Sequence, residues 1–361
     1  MAGVTKAALS AALALLITDG VTDQFRRDVM LLSLLGVVPG QGENCTWTVK
    51  GSGRNTAAAH AEGDDAESGD YSTHTRLRGT LSWAEYWAHA KVSGLSMAVA
   101  ANGGYANGGL LMEEITDAID ELAVKLGEHC YSGNHGATPP ELAGAARAID
   151  SSDDNFAGID TGENTWWAAG ENTVASLANV TINDIRTKVF RPVKDATGRL
   201  PEFVTTTGTV FDVLASKIDE KSTVNIVRTV GAGQDIDIAA QFGQRAIAID
   251  GVPIIEDRHC TALTMYAWHS RFVKISQLRS PVDQGVTTAE IQAAIKMLTG
   301  VDVPLNQIEA RIRALNNSPG LVPNVEALAK TGDSRKIMIT VKAQMKWFRR
   351  NAFAKLTFSG A

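Results

Sequence analysis

The sequence has 361 residues, 44% hydrophobic and 20% charged, which is enough to bury a core and too apolar for a disordered chain. A net charge of −6 excludes a coat held to nucleic acid by a basic surface. Three scattered cysteines, Cys45, Cys130 and Cys260, exclude a disulfide framework and fit a reducing cytosol, and the length predicts two domains.

In chain order, the run from Ala7 to Ile17 is uncharged and mostly apolar, with Lys6 just before it. It is too short to cross a bilayer. No small-residue cleavage site follows it, so it reads as a partner-covered N-terminal helix rather than a leader. Residues 43–80 contain only Trp47, Val49, Tyr71 and Leu77 as large apolar side chains, and Glu62, Asp64, Asp65, Glu67 and Asp70 form an acidic cluster. Such a stretch cannot bury enough surface to offset its own ordering entropy. Thr46–Lys50 and Ser72–Arg78 have strand-like composition, which predicts a long two-stranded hairpin with an acidic tip that needs a neighbouring chain. Leu111, Ile115, Ile119, Leu122 and Leu126 then recur at helical spacing. They predict a helix of about 20 residues, roughly 30 Å long, ended by Gly133.

Residues 134–175 read as irregular, and Val174–Val189 as a helix through Leu177, Val180 and Ile185. Pro201–Thr206 reads as a buried strand and Thr209–Lys217 as a helix. Arg245–Ile249 and Val252–Ile255 flank Asp250-Gly251, a two-residue hairpin signal. Arg271–Ser276 reads as a strand, and Thr287–Thr299 and Pro304–Leu315 as helices. Finally, Ile337, Ile339, Val341, Ala343, Met345 and Trp347 alternate with Lys336, Met338, Thr340, Lys342, Gln344 and Lys346, the period of a strand with one buried and one basic face. Charge is uneven along the chain: 0 over 1–42, −2 over 43–80, +7 over 334–361 and −11 over the rest.

Catalytic chemistry is sparse. Gly231-Ala-Gly233 begins a broken dinucleotide fingerprint without the strand-to-helix setting it requires. The cluster Glu256-Asp257-Arg258-His259 reads as the polar exit of a strand, with Arg258 neutralising a carboxylate. His129, Cys130 and His135 lack zinc spacing. Trp166-Trp167 has no basic sequence neighbours and reads as a packing anchor.

Three segments together resemble a known family. Pro201-Glu-Phe-Val-Thr-Thr-Thr leading into a helix, Gln244–Asp257 (QRAIAIDGVPIIED) and Lys342–Phe358 (KAQMKWFRRNAFAKLTF) are similar in order and spacing to the major capsid proteins of tailed double-stranded-DNA bacteriophages. The resemblance implies an α+β chain with the Hong Kong 97-type capsid fold. Its parts would be an N-terminal arm (1–42), an extended E-loop hairpin (43–80), a peripheral (P) domain (81–135 plus 334–361) with a long spine helix, and an axial (A) domain (136–333) extended at 280–333. It further implies an icosahedral head of self-assembled copies in hexamers and pentamers. The implied partners are portal, scaffolding and decoration proteins, together with double-stranded DNA packaged without sequence-specific binding. No cofactor, metal, membrane contact or catalytic residue is implied. The location would be the virion, and the host cytoplasm before assembly.

On this resemblance the contacts between subunits fall on Trp47, Lys50, Arg54, Asp64, Asp65, Glu67, Tyr71, Arg76 and Arg78 of the hairpin. Lys346, Arg349 and Arg350 of the closing segment join them. Two alternatives share the fold: an encapsulin-like protein compartment, and a capsid subunit that crosslinks itself through Lys50 and Asn351.

Overall fold

The computed structural model describes residues 29–51, 76–96, 109–151, 155–221, 246–278, 292–293, 295–296, 304, 307–308, 321–328 and 334–360. Outside them lie the apolar run 7–17, the acidic tip with Arg54, Asp64, Asp65, Glu67 and Tyr71, the Gly231–Gly233 motif and most of the two helices expected over 287–315.

In chain order the elements begin with α1 (Met30–Leu35), β1 (Val37–Pro39), β2 (Cys45–Lys50), β3 (Arg76–Leu81), β4 (Ala84–Ser93) and α2 (Gly109–Ser132). Next come α3 (Ala145–Ala148), β5 (Asn155–Phe156), β6 (Ile159–Asp160), β7 (Gly170–Val174), α4 (Ile182–Ile185) and α5 (Arg191–Thr197). They are followed by β8 (Phe203–Thr206), α6 (Gly208–Lys221), β9 (Ala246–Ile249), β10 (Val252–Glu256), β11 (Thr264–Trp268) and β12 (Val273–Gln277). The chain closes with β13 (Asn324–Ala327), β14 (Ser334–Trp347) and β15 (Ala354–Phe358).

Contacts divide the chain into two compact units, each assembled from three segments. The first holds 1–41, 83–142 and 274–345. Its sheet runs β1-β12-β14-β13, with β4 also paired to β14. β4 and β14 are antiparallel from Ser334↔Ser93 to Ala343↔Ala84. The period-two reading of β14 holds, because Ile337, Ile339, Val341, Ala343, Met345 and Trp347 are all buried. Its other face is less open than expected: Thr340 and Gln344 are buried there as well, and Lys342 pairs with Glu85 at 3.2 Å. α2 packs on β4 and buries Ile115, Ile119, Leu122 and Leu126.

Gly133 ends α2 as expected, and sterics explain the choice. Its N–H donates to His129 O at 3.0 Å. A Cβ would stand 2.5 Å from both His129 O and Leu142 O, two backbone atoms that cannot swing away. Gly133→Ala should therefore lower stability by about 1–3 kcal/mol, the range for overpacking a tight site. A fall in the urea midpoint of unfolding measures it, and an unchanged midpoint would refute it.

The second unit holds 42–82, 143–273 and 346–361. Its six-stranded sheet has the order β7-β15-β11-β8-β10-β9. β8 and β10 run parallel, as do β7 and β15. Val252 pairs with Ile249 across Asp250 (φ 52) and Gly251 (φ 82), so both turn residues are left-handed, as a type I′ hairpin demands. Arg186 grips the Asp250 carboxylate with two hydrogen bonds of 2.6 Å. One core joins Ile185, Val189, Phe190 and Val193 to Val204, Val210, Leu214, Ile254, Met265, Leu356 and Phe358.

The helix expected from Val174 begins instead at Ile182. Thr181 Oγ1 accepts the Asp184 N–H, and the Asp184 carboxylate accepts the Thr181 N–H, a reciprocal cap that fixes the start. Leu177 and Val180 are buried in the preceding turn, where their spacing mimics a helical stripe. A π turn, Arg186–Phe190, links α4 to α5 just before Pro192, which has no N–H to donate, and Gly198 (φ 75) closes the run.

The division also differs from the expected domains. The hairpin base and residues 346–361 group with 143–273, because β15 lies between β7 and β11. The described part of 280–333 groups with α2 and β4, because β13 pairs with β14.

Candidate functional site

The expected hairpin is present at its base. β2 and β3 pair antiparallel from Cys45↔Leu81 to Lys50↔Arg76. Alternation turns Cys45, Trp47 and Val49 inward, where all three are buried. Trp47 is thus an internal anchor and not a surface contact. Its Nε1 donates to Trp347 O at 2.9 Å, and its indole covers Gly79, where a Cβ would come within 2.7 Å of the ring.

Lys50, Arg76 and Arg78 are exposed on the outer side of the hairpin. Lys50 and Arg76 stand directly opposite each other, a repulsive cross-strand pair. Arg78 donates to Thr46 Oγ1 at 3.3 Å. Among the described residues none of these three cations forms an ion pair with a carboxylate. The described end of the hairpin therefore presents concentrated positive charge.

The closing segment divides its cations differently. Arg350 is fully buried, so it too is corrected from a surface contact to an internal one. Its Nε donates to Ala148 O at 2.7 Å and a terminal nitrogen to Asp150 O at 2.8 Å. Its guanidinium lies over the Phe156 and Trp167 rings at 4.8 and 6.0 Å. Arg349 is half-buried and donates to Asn351 Oδ1 at 2.9 Å and to Ala196 O at 2.5 Å. Lys346 is half-buried. Lys355 forms a 2.6 Å ion pair with Glu171, whose carboxylate also accepts from Ser151 N and Oγ. Burial pushes the Glu171 carboxyl up, but these bonds outweigh it and hold the group below its ordinary value.

A cavity of about 410 Å³ lies among Thr48, Lys50, Gly51, Trp166, Phe272, Phe348, Arg349 and Asn351. It brings together Lys50 and Asn351, the residues of the crosslinking alternative, within a single chain. Among the described residues no carboxylate lines it to take the lysine proton, and the Asn351 side-chain oxygen is engaged by Arg349. Trp166 lines the cavity, while Trp167 is buried and meets it edge to face at 5.8 Å.

The remaining motifs are structural. The Asp257 carboxylate accepts the His259 N–H at 2.9 Å, closing a local turn, and Arg258 Nε donates to His259 Nε2 at 3.1 Å rather than to a carboxylate. Among the described residues no group of histidine, cysteine and acidic side chains could hold a metal ion. No described helix is long and apolar enough to cross a membrane.

Sequence reasoning missed the internal roles of Trp47 and Arg350.

Comparison with known proteins follows the same lines. The sequence model of the SU10 major capsid protein matches residues 8–300. No curated protein matches the chain. Among solved structures, a capsid subunit of cyanophage A-1(L) is 17% identical and superposes with a TM-score of 0.61, over 92% of this chain and 93% of that one. The SrpI encapsulin of Synechococcus elongatus PCC 7942 is 10% identical with a TM-score of 0.54, over 91% and 86%. A subunit from the capsid of a native GTA particle is 11% identical with a TM-score of 0.53, over 91% and 89%. The fold is the expected α+β, Hong Kong 97-type capsid fold. With more than three quarters of its length matched, the chain belongs to the SU10 major capsid protein family.

Proposed function

We propose that this subunit tiles the icosahedral head of a tailed phage around double-stranded DNA, with its hairpin reaching a neighbouring copy. Family membership makes the chain a structural subunit of the virion capsid that associates with further copies of itself. That single match carries the reading. In the finer picture the unit holding α2, β4 and β14 is the peripheral domain, and the six-stranded sheet belongs to the axial domain. The subunits form in the host cytoplasm, with a separate scaffolding protein, a portal and decoration proteins as partners. The cations Lys50, Arg76 and Arg78 support the hairpin's role, since they are exposed where the hairpin leaves its own core.

Deleting residues 55–70 should leave soluble capsomers or aberrant shells by negative-stain microscopy. Normal-sized shells would refute the loop assignment. The encapsulin-like reading is separated by content: DNA-filled particles with a portal vertex support the phage head, and particles holding only protein cargo overturn it.

A further inference from the structure

Tyr86 on β4 and His129 in the last turn of α2 meet through a 2.8 Å hydrogen bond between Tyr86 Oη and His129 Nδ1. The Leu142 N–H donates to the same hydroxyl at 3.0 Å. An amide N–H can only donate, so the hydroxyl accepts it on one lone pair and keeps its proton and a second lone pair for the imidazole. When the ring is neutral with its proton on Nε2, Nδ1 presents a lone pair and accepts the hydroxyl proton. Glu141 Oε2 stands 3.8 Å from the same Nδ1 and also accepts the Asn134 N–H at 3.0 Å. All these groups lie in the first unit.

We propose that Tyr86, His129 and Glu141 form a proton-operated latch that ties the end of α2 and the Leu142 loop to β4 when His129 is neutral, and releases them when it is protonated. A proton taken from water onto Nδ1 converts that atom from acceptor to donor. Tyr86 keeps its own proton and can no longer donate there, and its remaining lone pair is a weaker acceptor for the imidazolium than the Glu141 carboxylate. The imidazolium turns to the carboxylate beside it, so the tie shifts from strand–helix to helix–loop. The Asn134 N–H then competes with His129 for Glu141 Oε2.

The surrounding charges are Glu141 from the loop, Lys125 one turn back on α2 and Glu128 immediately before His129. Lys125 and Glu128 pair with each other at 3.2 Å. Cys130 follows on the same helix and Tyr86 faces from β4. Burial is the largest influence and favours the neutral ring, with Lys125 adding to it. Glu141 and Glu128 oppose, and the balance leaves His129 below its ordinary 6.5. Burial raises the Tyr86 phenol, which keeps its proton throughout. The unfolded chain thus binds more protons at this site than the native one. The latch contributes its stability above the unfolded value of 6.5 and loses it as pH falls through the lower native value.

Histidine C2–H exchange, read by mass spectrometry on the full chain across pH, gives the midpoint of each imidazole. His129 should titrate below 6.5, Tyr86→Phe should move its midpoint up, and Glu141→Gln should move it down. Amide protection at Leu142, corrected for intrinsic exchange, should fall through the His129 midpoint and stay flat in His129→Gln. A midpoint at or above 6.5, a midpoint unmoved by both partner substitutions, or Leu142 protection with the same pH profile in His129→Gln would overturn the proposal. If Tyr86→Phe does not fold, the other two variants decide it.

Discussion

Arg350→Ala should destabilise the unit built on the six-stranded sheet by about 3–5 kcal/mol, enough to abolish most soluble protein. The side chain is fully buried, so nothing in water replaces what it supplies. Its loss strips donors from Ala148 O, which is left buried and unmade at about 1–3 kcal/mol, and from the half-buried Asp150 O. The stem and the guanidinium face also leave the Phe156 and Trp167 rings without a partner. Arg350→Met should restore the packing but not the hydrogen bonds, recovering less than half the loss. Arg350→Lys should do no better, because one ammonium cannot reproduce the planar fork. Urea unfolding followed by tryptophan fluorescence measures the series. A cost below about 1 kcal/mol for the alanine variant would refute the internal role.

Trp347→Ala should cost about 3–5 kcal/mol, the range for removing a large buried aromatic. Trp347 stacks on Trp268 at 5.9 Å and meets Phe353 edge to face at 4.8 Å. Phe203 also stacks on Trp268 at 6.2 Å. The Trp347 indole N–H also donates to Ala143 O at 3.0 Å. Trp347→Phe keeps the stacking and forfeits that bond, so it should cost about 1 kcal/mol beyond the lost area. Near-UV circular dichroism with thermal unfolding reads both variants. Equal losses for alanine and phenylalanine would mean that the hydrogen bond, and not the cluster, dominates.

Much of the fold was legible because its signals are local. The alternation over Lys336–Trp347, the stripe from Leu111 to Leu126 and the Asp250-Gly251 turn each specify their element within a few residues. The hairpin was legible in composition, and its pairing agrees from Cys45 to Lys50. The start of α4 was missed because Leu177 and Val180 carry helical spacing in a turn, while the deciding signal was the Thr181–Asp184 cap.

The site was harder to read. A cation in a basic run looks like surface, and only two carbonyls about two hundred positions away make Arg350 an interior residue. Trp47 is similar: its partner carbonyl on Trp347 is 300 positions distant. Lys50, Arg76 and Arg78 remain exposed, as surface cations should.

The strand order has a consequence for synthesis. β15 lies between β7 and β11, with Ala354 beside Gly170 on one flank and Ala267 on the other. A ribosome must deliver residues 354–358 before that sheet can close. A chain halted earlier leaves two facing rows of unmade backbone hydrogen bonds in the middle of a layer, not at its margin. Closure of the second unit's sheet is thereby tied to residues 354–358.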